Sequence, residues 1–70
     1  MQRQSVTSSN IASIGHDESA QTLEIEFRDG DIYQYYDVSK EIYEEFINAS
    51  SHGKYFHAHI RDEYRHSKIS

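Results

Sequence analysis

The chain has 70 residues, contains no cysteine and carries a formal net charge of −5. A chain of this length forms one small domain, so we expect a core held by apolar packing, without a disulfide or a thiolate zinc site, and too slight for an enzyme active site. The negative charge argues against broad, charge-driven binding of nucleic acids. No apolar run approaches the length of a membrane span, and we expect a cytoplasmic location.

The first half of the chain begins with two predicted strands. Residues 1–5 are polar and are expected to form a flexible lead-in. In the first predicted strand, residues 10–16, Ile11 and Ile14 lie three positions apart, and a β-bulge is one way to bring both into the core. Residues 22–28 alternate apolar with charged side chains, which is typical of a strand with one wet face.

A tight turn at Gly30 leads into a third predicted strand, residues 31–37. The type of this turn decides which face of the sheet Tyr33 and Tyr35 occupy. A two-residue type I′ turn would leave Tyr33 and Tyr35 facing solvent. A type I turn with a bulge at Gly30 would pair Ile25 with Tyr33 and turn both rings inward. We favour the second arrangement because it keeps two large rings dry.

The second half of the chain predicts two helices separated by a polar break at residues 50–53. Ser39 is a candidate N-cap for the first helix, which is expected to end near Ala49. Ser50 or Ser51 is expected to cap the second helix, which runs to about Arg65 before a frayed tail at residues 67–70. The apolar stripes are Ile42, Tyr43, Phe46 and Ile47 in the first helix and Phe56, Ile60 and Tyr64 in the second.

These elements predict one α+β domain at residues 6–66. Its expected architecture is a three-stranded antiparallel β-meander followed by two helices packed on one face, in the order βββαα. The central Tyr33-Gln34-Tyr35 is part of a longer set of motif residues. The others include Ser8-Ser9-Asn10-Ile11, Ile14-Gly15, Leu23 to Phe27, Gly30, Val38, Tyr43, Ala49-Ser50, Gly53, Tyr55-Phe56, Ile60-Arg61 and Tyr64.

With these motifs the chain resembles the KTSC family over roughly residues 6–65. Members of this family are short domains at the C-terminus of some lysyl-tRNA synthetases and small free-standing bacterial proteins. The resemblance implies a non-catalytic module, with RNA or tRNA as the partner suggested by its place in synthetases. The chain departs from the family pattern at His16, Ser39 and His57, where Tyr, Pro and Asn are common.

Five residues are candidates for contacting RNA or another partner. Tyr33 and Tyr35 either form a platform on which bases stack or belong to the core and pack against the first helix. Arg61 and Arg65 lie one turn apart on the predicted helix, and together with Lys54 they either contact phosphates or form a solvated charged face. Both pairs of alternatives stay open at this point.

No pattern in the sequence supports catalysis, a metal site or a cofactor. His57 and His59 would project about 200° apart on a helix, and ligand pairs are usually spaced by three or four residues. Ser50 and Ser51 next to His52 are better explained as helix caps than as nucleophiles. The alternative function is a protein–protein adaptor or a homodimer that uses a free sheet edge or the uncovered sheet face.

Overall fold

The computed structural model describes residues 1–70, and five strands form one antiparallel sheet in chain order. The strands are β1 (Arg3–Ser5), β2 (Ile11–Asp17), β3 (Thr22–Phe27), β4 (Ile32–Tyr35) and β5 (His66–Lys68). Between β4 and β5 lie α1 (Lys40–Ile47) and α2 (His52–Tyr55), and α2 continues into a π-helical turn at Phe56–Ile60. None of the helices combines the length and the apolar character that crossing a membrane requires.

The expected number of strands was wrong, because the sheet has five strands rather than three. The two additional strands come from the segments expected to be a lead-in and a tail. In β1, Arg3 lies opposite Gly15 of β2, and in β5, Lys68 lies opposite Tyr33 of β4. Both strands are short and polar, so neither shows the alternation that marked the central three.

The hairpin of β3 and β4 has the register that the sequence analysis favoured, with a bulge at Gly30. Ile25 lies opposite Tyr33, the Phe27 N–H donates to the Asp31 carbonyl over 2.8 Å, and Gly30 has a φ of 99°. This positive φ is the left-handed conformation that glycine adopts at the bulge of such a turn. The bulge in β2 is confirmed as well, since the pairing of β2 with β3 shifts between Ile11 and Ser13.

Both predicted helix starts are confirmed. The Ser39 hydroxyl accepts the Ile42 N–H, and the Ser51 hydroxyl accepts the Lys54 N–H, each over 3.3 Å. The expected end of the second helix at Arg65 was wrong, because the helix ends at the π-helical turn.

The core lies between one face of the sheet and the helical segment. Phe46 of α1 is fully buried in this core. Phe56 and Ile60 of the π-helical turn are buried in the same cluster. Burying these side chains is the main source of stability for a chain without cross-links. The remaining core residues are Ile11, Ile14, Leu23, Ile25, Tyr35 and Val38.

The opposite face of the sheet carries a network of paired polar side chains. Glu24 is 8% exposed, forms an ion pair with Arg3 and accepts a hydrogen bond from the Gln34 amide over 3.0 Å. The Ser13 hydroxyl accepts a hydrogen bond from Arg3 and donates one to Glu26. The charges of this face are therefore satisfied within the sheet, which makes it a poor surface for an apolar partner.

A close approach at Gly15 allows Arg3 to reach Glu24. A Cβ atom at Gly15 would lie 2.5 Å from the Gln2 carbonyl oxygen and 3.0 Å from the Arg3 Cγ. The first of these contacts is with backbone, so any larger residue would push β1 away from β2. Glycine at this position therefore keeps β1 attached to the sheet.

We expect the Glu24→Gln variant to lose about 1–3 kcal/mol of stability at neutral pH, because Arg3 loses a charged acceptor. Burial raises the pKa of Glu24, but the hydrogen bond from Gln34 and the bond and charge of Arg3 outweigh it and hold the pKa below its usual value. A carboxyl with a lowered folded-state pKa stabilises the fold above its unfolded pKa. That contribution is lost as the pH falls through the folded value.

Urea unfolding of the wild type between about pH 5 and pH 2 should therefore show a steeper loss of stability than that of Glu24→Gln. Glu44→Gln is the matched control, since Glu44 is exposed on α1 and its carboxylate has no partner. If the stability of the wild type and that of Glu24→Gln fell in parallel with pH, the stabilising role of the ionised Glu24 would be contradicted.

Candidate functional site

The largest concave surface is an open cleft of about 770 Å³ beside the central hairpin. It lies between the helix-side face of the sheet and the π-helical turn, and its volume falls within the usual range for ligand pockets. Its lining residues are Ser9, Asn10, Ile11, Phe27, Arg28, Asp29, Asp31, Tyr33, Tyr35, Gly53, Phe56, His57, Arg61, Asp62 and His66.

Four aromatic rings form the floor of the cleft. Phe27 meets Tyr33 edge to face at 5.7 Å and Phe56 at 5.4 Å between ring centroids. Tyr35 packs on Phe56 at 5.8 Å and lies 6.4 Å from Tyr33 in a stacked arrangement. Tyr35 is 4% exposed, whereas Tyr33 is only half-buried, so Tyr33 is the more accessible of the two rings.

The π-helical turn places Arg61 at the cleft. The Arg61 N–H donates to the Phe56 carbonyl over 2.9 Å, a bond between residues five apart. In an α-helix, residues five apart would point about 140° away from each other, whereas the wider turn brings them to one side. Phe56 and Arg61 accordingly line the same cleft. A helical wheel drawn from the sequence does not foresee this placement.

Most charges at the cleft are engaged within the protein. Arg28 donates to the Ser8 and Val6 carbonyl oxygens, and Asp31 forms an ion pair with Lys68 at 3.4 Å. The Asp29 carboxylate accepts a backbone N–H from within the turn.

Arg61 and Asp62 differ from these residues because neither forms an ion pair or a side-chain hydrogen bond with the backbone. The Arg61 guanidinium lies 3.4 Å from Nδ1 of His57, which accepts the bond. The Asp62 carboxylate makes no hydrogen bond. The cleft therefore carries one guanidinium and one carboxylate that are free to meet a ligand.

The Tyr35 hydroxyl stays protonated in this setting. Burial raises the pKa of Tyr35 to about 12, with a further increase from Tyr33 and Asp62 and an opposing effect of Arg61. A neutral phenol at this position is a hydrogen-bonding group rather than a base. Arg61 and Asp62 line the same cleft as Tyr35.

Three of the five predicted site residues meet in the cleft. The prediction placed both tyrosines inward, and both lie on the core side of the sheet, where Tyr35 is a core residue and Tyr33 is partly buried and packed against the core. The core interpretation expected both rings to pack on the first helix. Instead, the Tyr35 ring packs on Phe56 of the second helical segment, and the Tyr33 ring meets Phe27 and Tyr35 of the sheet. The three residues that the fold brings together are Tyr33, Tyr35 and Arg61.

The other two predicted residues lie elsewhere. Lys54 borders a smaller depression beside Tyr55 on α2. Arg65 was expected one helical turn from Arg61, but it follows the end of the helix, pairs with Asp37 at 3.0 Å and lies over the Tyr36 ring. The expectation that Arg61 and Arg65 lie together on one helix was therefore wrong, whereas Lys54 was not required to join them.

Several lining residues were missed by the sequence reasoning. Asp62 follows Arg61 directly and received no role, although Arg61 itself was selected as a candidate for contacting a partner. Phe27 was assigned to the core from the alternation of β3, although it also forms part of the floor. His66 reaches Tyr35 at 5.2 Å between centroids only because β5 exists. The sequence signal that could have pointed to Asp62 is its position directly after Arg61, close in the chain to the aromatic residues of the second helix.

No group of three His, Asp or Glu side chains comes together in an arrangement suited to a metal ion. His57 accepts a bond from Arg61, and the His59 ring lies tilted against Tyr55 at 4.6 Å between centroids.

Comparison with known proteins decides the family. The chain matches the KTSC domain over residues 7–64. It belongs to the KTSC family. A crystal structure of a KTSC domain protein from Yersinia pestis superimposes on it with a TM-score of 0.96 at 40% identity, covering 99% of this chain and 97% of that one.

Relatives of this KTSC domain occur in two settings. An uncharacterised protein of Stutzerimonas stutzeri is 34% identical over 70 residues, covering 99% of each chain. A lysine–tRNA ligase of Nostoc sp. is 37% identical over 60 residues, which are 86% of this chain and 11% of the ligase. A lysine–tRNA ligase of Trichormus variabilis is 36% identical over 60 residues, with the same coverage. The chain therefore spans about a tenth of the ligases that it matches.

Proposed function

We propose that this KTSC domain is a non-catalytic module that binds RNA, tRNA included, in the cytoplasm through the cleft at the central hairpin. The observation that carries the proposal is that the half-buried Tyr33 ring lines the same cleft as the Arg61 guanidinium, which has no carboxylate partner. Aromatic rings accept bases by stacking, and a guanidinium binds phosphate. The occurrence of related domains in lysine–tRNA ligases supports the same partner class.

The charge distribution sets how such binding depends on salt. Arg3, Arg65 and Lys68 are paired with acids, and Arg28 is held by carbonyl oxygens. The Lys and Arg side chains held neither by an acid nor by a carbonyl oxygen are Lys40, Lys54 and Arg61. These three side chains make at most three phosphate contacts. A plot of the logarithm of the binding constant against the logarithm of the salt concentration should then have a slope no steeper than about −2.

We expect saturable binding in a titration of the full chain against bulk tRNA, a single-stranded RNA and a blunt RNA duplex at two ionic strengths. The affinity should fall with added salt at that shallow slope, and RNA with unpaired bases should bind more tightly than the blunt duplex. Fluorescence anisotropy of labelled RNA measures both. An absence of saturable, salt-sensitive binding to every RNA would end the proposal.

A second candidate function is a protein adaptor or homodimer that pairs through a sheet edge. Strand β5 is exposed along its length at the edge of the sheet, and Ile69 next to it is 48% exposed. An exposed edge offers backbone hydrogen bonds to a second chain without requiring positive charge. A dimer whose population rises with concentration in analytical ultracentrifugation would favour this function.

A further inference from the structure

The cleft has charges of both signs, and this limits what it can bind. Three carboxylates and two guanidinium groups line it, so an RNA strand laid along it would meet repulsion as well as attraction. Once the internal pairs of Arg28, Asp29 and Asp31 are set aside, Arg61 and Asp62 remain. These two groups suit one phosphate and one hydrogen-bond donor edge, which is the chemistry of a single nucleotide.

A carboxylate beside a stacking ring selects among the bases. It accepts hydrogen bonds and donates none, so it favours a base whose edge presents N–H groups. Guanine alone among the four RNA bases presents two adjacent donors, N1–H and the N2 amino group, on its Watson–Crick edge. Adenine and cytosine each combine a donor with an acceptor that a carboxylate repels, and uracil has one donor between two carbonyl oxygens.

Resting on the RNA-binding function proposed above, we propose that the cleft binds one unpaired guanine nucleotide. The base stacks on Tyr33, Asp62 accepts the N1–H and N2–H hydrogen bonds, and Arg61 binds the phosphate of the same nucleotide. His57 holds Arg61 from the side through Nδ1 and leaves its other N–H groups free. The aromatic floor of Phe27, Tyr35 and Phe56 fixes the plane on which the base lies.

This assignment separates affinity from base preference. Arg61 acts on every RNA alike, since all nucleotides carry the phosphate that it binds. Asp62 acts only on guanine, and removing its charge abolishes the preference without removing the stacking surface. One phosphate contact corresponds to a slope of about −0.7 in the salt dependence.

The test uses an RNA hairpin with a single unpaired 3′ nucleotide in four versions, G, A, C and U, together with a blunt hairpin. We expect the G version to bind the full chain roughly 5- to 150-fold more tightly than the others, the range for a good bidentate base contact. Asp62→Ala, which removes the carboxylate without adding a donor, should bring the four versions to within about twofold of each other. Arg61→Gln should weaken all four and make the salt slope shallower by about 0.7.

Glu63→Gln is the matched control, because Glu63 is exposed next to Asp62 and does not line the cleft. Equal binding of the four versions and the blunt hairpin to the wild type would overturn the guanine assignment while leaving RNA binding intact. A preference for G that survives Asp62→Ala, or that disappears in Glu63→Gln, would overturn the role of Asp62. Failure of every RNA to bind would overturn the proposed function itself.

Discussion

The Phe46→Ala variant is expected to lose about 3–5 kcal/mol of its free energy of unfolding, the usual cost of emptying an aromatic site in a core. Phe46 is the largest fully buried side chain, and its ring stacks on Tyr55 at 5.4 Å and meets His52 edge to face at 6.2 Å. Stability of about 0.05–0.15 kcal/mol per residue gives a chain of this length a total on the order of 4–10 kcal/mol. The substitution therefore removes a large part of it.

Urea unfolding followed by circular dichroism measures this loss. Ile69→Ala is the control, because Ile69 is a large apolar residue that is 48% exposed, and its loss should stay within about 0.5 kcal/mol. A loss below about 1 kcal/mol in Phe46→Ala would show that the packing of α1 on α2 does not hold this fold together.

The middle of the fold could be predicted because its signals are local. The alternation in β3, the turn at Gly30 and the serine caps each depend on a few neighbouring residues. The register that pairs Ile25 with Tyr33 followed from choosing the turn that keeps large rings dry. The bulge near Ile11 followed from the spacing of two apolar residues.

The edges of the sheet could not be predicted in the same way. Strands β1 and β5 are held by backbone hydrogen bonds and by ion pairs to distant residues, Arg3 with Glu24 and Lys68 with Asp31. Polar three-residue strands have no hydrophobic period, and a sequence does not show which acid a given cation will meet.

The candidate site was predicted in its parts but not in its assembly. Tyr33 and Arg61 were both selected, yet the reasoning placed Arg61 next to Arg65 on a regular helix. The π-helical turn and the early end of the helix separate these two arginines and move Arg61 to the tyrosine instead. A π-helical turn depends on tertiary packing and has no dependable sequence pattern, so the cleft appears only in the folded chain.

The Tyr33→Ala variant is expected to bind RNA about 5- to 150-fold more weakly than the wild type. This range corresponds to roughly 1–3 kcal/mol for one base stacked on an aromatic ring. Tyr33→Phe should retain most of the affinity, because the face of the ring and not its hydroxyl provides the stacking. Anisotropy titration with a labelled single-stranded RNA at one fixed salt concentration compares the variants.

Tyr36→Ala is the matched control for this loss. Tyr36 lies just beyond β4 and packs beneath Arg65 outside the cleft, so its removal tests whether any tyrosine near the sheet would have the same effect. Tyr33 also supports Phe27 edge to face, and the far-UV circular dichroism of Tyr33→Ala must match the wild type before its affinity is compared. If folded Tyr33→Ala binds as tightly as the wild type, or Tyr36→Ala loses as much affinity, the RNA surface lies outside the cleft. With Arg61 as its only remaining RNA contact, the cleft would be no better a candidate than any other weakly basic surface of the domain. The exposed edge of β5 would then be the next surface to test.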